Sequence, residues 1–136
     1  MLSLDIADDE LVARCVFSPR NINPKTGNLR NNFMFLREGE QDISFVRYSK
    51  LGHEETVRYG NSIMRNQLLY ALAKGLAGEL RSISDMIHIT ADNPSNPYHA
   101  SLRILKDGKC IQGIVTDALV LDLFDKILEH LELKIL

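Results

Sequence analysis

The sequence has no tryptophan and only two cysteines, Cys15 and Cys110. These two are far apart and form no Cys-x-x-Cys pair, the spacing that is typical of zinc and redox sites. We therefore expect buried free thiols rather than a disulfide, and no metal site. The tyrosines and phenylalanines are scattered and are not interleaved with basic residues, which argues against stacking on single-stranded nucleic acid.

Long apolar runs are also missing. No stretch approaches the roughly 18 apolar residues of a membrane-spanning helix. The first residues lack the basic region, apolar run and cleavage site of a secretory signal. With 136 residues, 45% of them hydrophobic and 25% charged, the composition is that of a globular protein. We expect one domain over residues 1–136, located in the cytoplasm and not associated with a membrane.

The charges are unevenly distributed along the chain, although the net charge is only −2. Residues 1–13 carry four acids and no base, residues 14–74 carry ten Lys or Arg against five acids, and residues 75–136 carry six against nine. The basic middle segment could face an anion, an acidic partner or nucleic acid. We favour a solvated face that the acidic ends balance, and keep nucleic-acid binding as a third functional hypothesis.

Strand patterns dominate the chain. Apolar, β-branched or alternating residues predict strands within 10–19, 42–49, 86–90 and 99–105. The last of these is followed by Asp107-Gly108, a hairpin signal, with 110–115 as the return strand. Residues 76–90 are ambiguous, and Gly75 and Gly78 argue against continuing a preceding helix into them.

Helical periodicity is strongest in two segments, 61–75 and 116–136. In the first, apolar side chains recur at helical spacing: Met64, Leu68, Ala71 and Leu72. The second begins with a cap at Thr116 and has a broad apolar face. Part of this face could contact a second subunit in a homo-oligomer, but a well-buried terminal helix is the commoner explanation. Together these elements predict an α+β fold, a mostly antiparallel sheet of four to six strands with two main helices packed on it.

Arg47 is the unusual residue of the strand pattern in 42–49. Strict alternation places it on the same side as Ile43 and Phe45. If that side is buried, Arg47 requires a carboxylate or a bound anion. The alternative, which we favour, is that Arg47 lies at the strand end and reaches water.

The stretch ITADNPSNPYHASLRIL, residues 89–105, contains two Asn-Pro steps followed by Tyr98 and His99. Proline restricts the residue before it to extended backbone, so the chain is extended around Asn93 and Asn96. The side chains of Tyr98 and His99 would then be presented at the start of a strand. His99 either binds a ligand or satisfies loop carbonyls, and we favour the structural role. This loop is nevertheless the best candidate for a binding edge, because binding residues concentrate on loops held by rigid scaffolds.

Catalytic motifs are absent or incomplete. His88-Ile-Thr90 has the spacing of two-histidine phosphoesterases, but their chemistry needs a second such motif, which the sequence lacks. At His99-Ala-Ser101 a serine replaces the glutamate of zinc deaminases, and no Pro-Cys-x-x-Cys follows. There is no GxSxG, Walker A, HExxH or GxGxxG pattern. We assign no catalytic residue, metal or cofactor.

One looser arrangement is compatible with nucleotide binding. Folds like the ADP-ribosyltransferases hold a dinucleotide with an arginine on an early strand and a serine on a later one. The matching residues are Arg14, Arg47 and Ser49, and Glu54 or Glu55 would supply the acid. The alternative function is therefore a small enzyme or nucleotide-binding domain that uses Arg14, Arg47 and His99.

Four segments together resemble a family of small uncharacterised bacterial proteins from phage-defence or conflict gene neighbourhoods: ELVARCVFSPRNI, DISFVRYS, GLAGELRSI and NPSNPYHASL. The family has no established activity, so no catalytic residue is transferred. The resemblance implies that the shared parts include Arg14, Phe17, Ser18, Arg47 and His99. It favours a small bacterial adaptor that acts through a protein partner. The residues expected to bind are Arg14, Arg47, Tyr98 and His99.

Overall fold

The computed structural model describes residues 2–36, 40, 42–63, 66–113 and 115–136. The strands are β1 (Leu11–Val16), β2 (Ile43–Val46), β3 (Ala71–Leu76), β4 (Ile87–Thr90), β5 (His99–Lys106), β6 (Lys109–Cys110) and β7 (Glu132–Ile135). The α-helices are α1 (Tyr48–Leu51), α2 (His53–Ile63), α3 (Ala77–Ile83) and α4 (Ala118–Glu129). Two short 3-10 helices cover Pro19–Asn21 and Asn31–Met34.

The strands form one antiparallel sheet in the order β4-β5-β2-β1-β3-β7, and β6 extends β5 as a hairpin. This confirms the α+β prediction, and the described residues form seven strands where four to six were predicted. The longest helices are α2 and α4. Within the described residues, no helix has both the length and the apolar character needed to cross a membrane.

The main core lies on the sheet face covered by α3 and α4. The strands contribute Val12, Val16, Ile43, Phe45, Leu102 and Ile104, and α4 contributes Val120, Leu123, Phe124, Ile127 and Leu128. The broad apolar face of the terminal helix is thus mostly used inside its own fold. A homo-oligomer that forms through this helix stays a prediction, since burial within the same chain also explains the broad apolar face.

The opposite face of the sheet is only partly covered. Buried Ala13, Leu69 and Leu72 form a smaller cluster there, against Tyr48 of α1 and Val57 of α2. This cluster lies over β1 and β3. The neighbouring strands β2 and β5 carry polar residues on the same face, so the site described below lies at the boundary of the covered region.

The predicted helix over 61–75 is wrong. Helix α2 lies earlier, and Ala71–Leu76 form strand β3, which pairs with β1 on one side and β7 on the other. These two ladders satisfy the main chain of β3 and override the helical spacing of Ala71 and Leu72. Met64, part of that spacing, lies outside the described residues.

The C-terminal segment is also divided differently. Helix α4 ends at Glu129, and β7 follows where the helix was predicted to continue. Its cap is Asp117, whose Oδ1 accepts a hydrogen bond from the Leu119 main chain at 2.9 Å, and not Thr116. The hairpin is confirmed, since Asp107 and Gly108 adopt φ of 53° and 77°. Its return strand is Lys109–Cys110, which overlaps the predicted 110–115 only at Cys110, and Ile114 lies outside the described residues.

Candidate functional site

A cleft of about 470 Å³ opens beside strands β1 and β2. The two strands are in register at one residue pair, Ala13 and Val46, whereas β1 pairs along its whole length with β3. The cleft lies where β1 and β2 separate. Its volume falls in the range of small-molecule sites. Aromatic rings contribute much of the wall, from Phe17, Phe33, Phe35 and Tyr59.

Arg14 spans the gap between the separated strands. Its Nη1 donates to the Ser44 carbonyl at 3.0 Å and its Nη2 donates to the Phe33 carbonyl at 3.1 Å. The guanidinium carbon lies 4.6 Å from the centre of the Phe33 ring. Nε is buried and has no hydrogen-bond partner among the described residues. Arg14 thus completes the sheet with its side chain in place of main-chain pairing.

The electrostatic setting of Arg14 is that of a poorly solvated cation. Burial lowers the pKa of Arg14 to about 10, although the charges of Cys15 and Glu40 oppose this shift. Its two hydrogen-bond acceptors are neutral carbonyls, which stabilise the charge less than a carboxylate or phosphate does. An anion beside Arg14 would compensate this charge better than the two carbonyls do.

His99 and Ser44 meet on the wall beside Arg14. His99 begins β5 opposite Val46, and its Nε2 lies 3.2 Å from Oγ of Ser44. Either atom can donate, depending on the imidazole tautomer. The main-chain N of His99 donates to the Asn96 carbonyl at 3.1 Å, so the Asn-Pro loop sets where the strand starts. The ring itself contacts Ser44 and lines the cleft.

Two acidic residues, Glu40 and Asp42, also line the cleft. Oδ2 of Asp42 accepts a hydrogen bond from the buried Ser101 hydroxyl at 2.9 Å and lies 3.7 Å from Nη2 of Arg103. The site therefore combines cationic, hydroxyl and carboxylate groups against aromatic walls. Such a mixture suits a ligand with one anionic group better than a polyanion.

Cys15 lines the same cleft, but its thiol has low reactivity. Burial raises the pKa of its thiol to about 11, against a weaker lowering by Arg14. At neutral pH the thiol is protonated, and the protonated form is a poor nucleophile and metal ligand. Within the described residues, no group of three or more His, Cys, Asp or Glu could hold a metal ion.

Arg47 does not line the cleft. It is fully buried, and its Nε and Nη2 donate to Oε1 and Oε2 of Glu10 at 2.6 and 3.1 Å. The other donations go to main-chain carbonyls, those of Ser3, Pro97 and Asp5. The interpretation that Arg47 reaches water is wrong, and the alternative that it binds a carboxylate is confirmed. Arg47 joins the N-terminal segment to the Asn-Pro loop.

Tyr98 lies outside the cleft as well. It is exposed and borders a separate, open depression beside α2, which Arg58 and Ser62 also line. Its main-chain carbonyl accepts a hydrogen bond from Arg47 N at 2.8 Å. Of the four residues expected to bind, the cleft brings together only Arg14 and His99.

The ADP-ribosyltransferase-like arrangement is not assembled. Oγ of Ser49 accepts a hydrogen bond from the main-chain N of Leu11 at 3.1 Å, at the start of β1. Glu54 and Glu55 are exposed in the first turn of α2, and Glu55 forms an ion pair with Arg58. None of these three residues lines the cleft with Arg14.

Sequence reasoning missed Ser44 and the aromatic wall. Alternation in 42–49 places Ser44 opposite in direction to Ile43, but nothing in the sequence pairs β2 with β5. Comparison with protein-family models, curated proteins and solved structures found no match to this chain. The function is therefore argued from the geometry of the cleft.

Proposed function

We propose that the protein binds a small ligand in the cleft and that this ligand combines one anionic group with a flat ring, as a nucleoside monophosphate does. The observation that carries the proposal is Arg14, a poorly solvated cation in the cleft wall whose two hydrogen-bond acceptors are neutral main-chain carbonyls. This is the alternative function expected from the sequence, with Arg14 and His99 as binding residues and without Arg47.

The anionic group belongs beside Arg14. A phosphate or carboxylate there would compensate a charge that burial disfavours. His99 and Ser44, in contact with each other, can supply further hydrogen bonds to oxygen atoms of the ligand. Because Glu40 and Asp42 line the same cleft, a triphosphate would meet repulsion that a single phosphate avoids.

The flat ring belongs against the aromatic wall. Phe17, Phe33 and Tyr59 line the cleft together with Arg14. Aromatic pairs in offset or edge-to-face contact add about 0.5–1.5 kcal/mol beyond the area they bury. A ligand with both groups can therefore use both parts of the site, whereas inorganic phosphate would use only one.

The test is isothermal titration of the full chain with the four ribonucleoside monophosphates, the matching triphosphates and inorganic phosphate. We expect at least one monophosphate to bind more tightly than its triphosphate and than phosphate. Arg14→Met should weaken that binding at least tenfold, or about 1.4 kcal/mol. Arg58→Met, an exposed arginine outside the cleft, is the matched control and should leave it unchanged.

The proposal is wrong if no monophosphate binds, or if Arg14→Met binds as well as the natural protein. A thermal melt of each variant shows whether it is folded. If Arg14→Met is unfolded, His99→Ala replaces it, since Ala removes the hydrogen bonds that the imidazole would make to the ligand. It should weaken binding while the protein stays folded.

A second candidate is a cytoplasmic adaptor in a bacterial defence system, acting through contacts with a protein partner. It is favoured by exposed apolar side chains at the end of α2 and before β3, where Ile63 is 47% and Leu68 is 75% exposed. Exposed apolar patches mark interaction sites. Co-purification with the product of each adjacent gene tests it. Leu68→Ser should weaken a specific complex. If no product of an adjacent gene forms a complex with this protein, the candidate is eliminated.

Nucleic-acid binding is the third candidate and has the least support. Arg14 and Arg47, from the basic middle segment, are engaged inside the fold, and Lys74 lies over the Tyr48 ring. The surplus of basic residues is thus not all on the surface. Absence of oligonucleotide binding at low salt, where such binding is strongest, would eliminate it.

A further inference from the structure

The two edges of the sheet, β4 and β7, differ in how their outer main-chain groups are satisfied. At β4, Nη2 of Arg81 donates to the Ile89 carbonyl at 3.0 Å, and the Ile87 N donates to the Ser84 carbonyl at 3.1 Å. Both contacts come from residues at or just after α3. Two outward main-chain groups of β4 are thus satisfied by the same chain, which closes this edge in part, as natural sheets commonly do.

The β7 edge is open. Leu136 N donates to the Tyr70 carbonyl at 3.0 Å, and the register pairs Lys134 with Leu72 and Glu132 with Lys74. In an antiparallel ladder alternate residues face the neighbouring strand. The main-chain groups of Leu133 and Ile135 therefore point away from β3. Within the described part of the chain no other segment pairs with this side.

We propose that β7 pairs with β7 of a second copy of this chain, antiparallel and centred on Leu133. This arrangement would be a symmetric dimer in which the two sheets become continuous. The outward main-chain N–H and C=O of Leu133 would exchange hydrogen bonds with those of the partner's Leu133. The proposal goes beyond ligand binding and does not depend on it, because the cleft lies beside β1 and β2.

The charges of β7 select this register. With Leu133 on the two-fold axis, Glu132 of each copy lies directly opposite Lys134 of the other. Opposite charges in directly facing positions stabilise a strand pair, and like charges destabilise it. A register centred on Lys134 would instead place the two lysines opposite each other. The sequence Glu132-Leu-Lys134 is therefore complementary to itself in one antiparallel register.

The apolar side chains of β7 agree with this pairing. Leu133 and Ile135 lie opposite Ala73 and Ala71, which are part of the main core, yet Ile135 is 56% exposed. In the dimer, Ile135 would lie beside the same core layer of the second copy. The contact is one short strand from each chain, so we expect a reversible dimer that forms with rising concentration.

Sedimentation equilibrium of the full chain over a range of concentrations tests the proposal. The apparent mass should rise from 15.4 kDa towards twice that value. Glu132→Lys alone and Lys134→Glu alone should each stay monomeric, because each places like charges opposite each other. An equimolar mixture of the two variants should associate, since positions 132 and 134 are then both lysine in one chain and both glutamate in the other.

Matched controls separate this contact from effects inside one chain. Glu132 lies opposite Lys74 of its own chain, so Glu132→Lys also places two lysines opposite each other within one chain. The double variant, Glu132→Lys with Lys134→Glu, carries the same internal change and is therefore compared with Glu132→Lys. The double variant should regain association. Thr90→Lys, at the partly closed β4 edge, should leave the mass distribution unchanged. Thermal melts check that each variant folds.

Any of three results would overturn the proposal. The first is that the natural protein stays monomeric at every concentration. The second is that each single-reversal variant dimerises as well as the natural protein, and the third is that neither the mixture nor the double variant associates more than the single-reversal variants. Nucleotide binding is measured on the same samples. Loss of association with binding retained, or the reverse, shows which of the two proposals has failed.

Discussion

Arg47 and Glu10 form a two-bond ion pair in the interior of the fold, with N–O distances of 2.6 and 3.1 Å and exposures of 0% and 3%. The same guanidinium binds the carbonyl of Pro97, two residues before His99. The pair thus fixes the N-terminal segment against the loop that leads into β5. Its role is to hold the strand that carries His99.

Arg47→Met should lower the free energy of unfolding by about 3–5 kcal/mol, because the Glu10 carboxylate would stay buried without its partner. Urea denaturation measures the loss. Arg58→Met is the control: the Arg58–Glu55 pair is exposed, and such pairs contribute at most about 1 kcal/mol. Equal effects of the two substitutions would contradict the structural role of Arg47.

The affinity of the cleft for a nucleoside monophosphate should depend on pH through Arg14. The pKa of this group in the folded protein is lowered to about 10, so it is charged at pH 7–9 and loses its proton as the pH rises through that value. Affinity should be constant up to about pH 9 and then fall. Titrations at increasing pH test this, with circular dichroism as the check on folding. Unchanged affinity at pH 11 would show that the charge of Arg14 does not bind the ligand.

Cys15 should react slowly with thiol reagents while the protein is folded. Because burial raises its pKa to about 11, little thiolate is present at pH 8, and thiolate is the reactive form. In a Cys110→Ser variant, the rate of alkylation by iodoacetamide should increase strongly in urea. Folded protein that reacts as fast as the unfolded chain would place Cys15 in a more open setting.

Gly78 allows the N-terminal segment to pass close to α3. A Cβ at this position would lie 2.6 Å from Cβ and 2.9 Å from the carbonyl oxygen of Asp8. Gly78→Ala should therefore lower the free energy of unfolding by about 1–3 kcal/mol, as overpacking does. Ser82→Ala, on an exposed position of the same helix, should change it by no more than about 0.5 kcal/mol. Thermal or urea unfolding of both variants separates the two effects.

The α+β class, most strands and the hairpin at Asp107-Gly108 could be predicted because they depend on local patterns. The helix over 61–75 could not be excluded, since Ala71 and Leu72 suit either structure and only pairing with distant β1 and β7 decides between them. The favoured interpretation of Arg47, that it reaches water, was wrong, and the alternative of a buried arginine with a carboxylate partner was correct. Its partner Glu10 is 37 residues away, and no local pattern identifies it.

Two of the four residues that were predicted to bind, Arg14 and His99, line the cleft, because local patterns identify single residues but not their neighbours in space. Arg14 was identified as an arginine on an early strand, and His99 as a histidine that follows two Asn-Pro steps. Their common cleft depends on β2 lying between β1 and β5, which is a property of topology. Ser44 had no such local signal, and it becomes a candidate only when His99 is placed beside it.

Ser44 and Ser101 lie opposite each other in the β2–β5 register but make different contacts. Ser44 is exposed in the cleft and contacts His99, whereas Ser101 is buried and donates to Asp42. Ser44→Ala should weaken nucleotide binding several-fold and change the free energy of unfolding by no more than about 0.5 kcal/mol. Ser101→Ala removes a buried hydrogen bond and should cost about 0.5–1.5 kcal/mol of stability. Calorimetric titration and urea denaturation of both variants give the comparison. If Ser44→Ala instead destabilises the fold and leaves binding intact, the His99–Ser44 contact is structural, and the ligand is held by Arg14 and the aromatic wall alone.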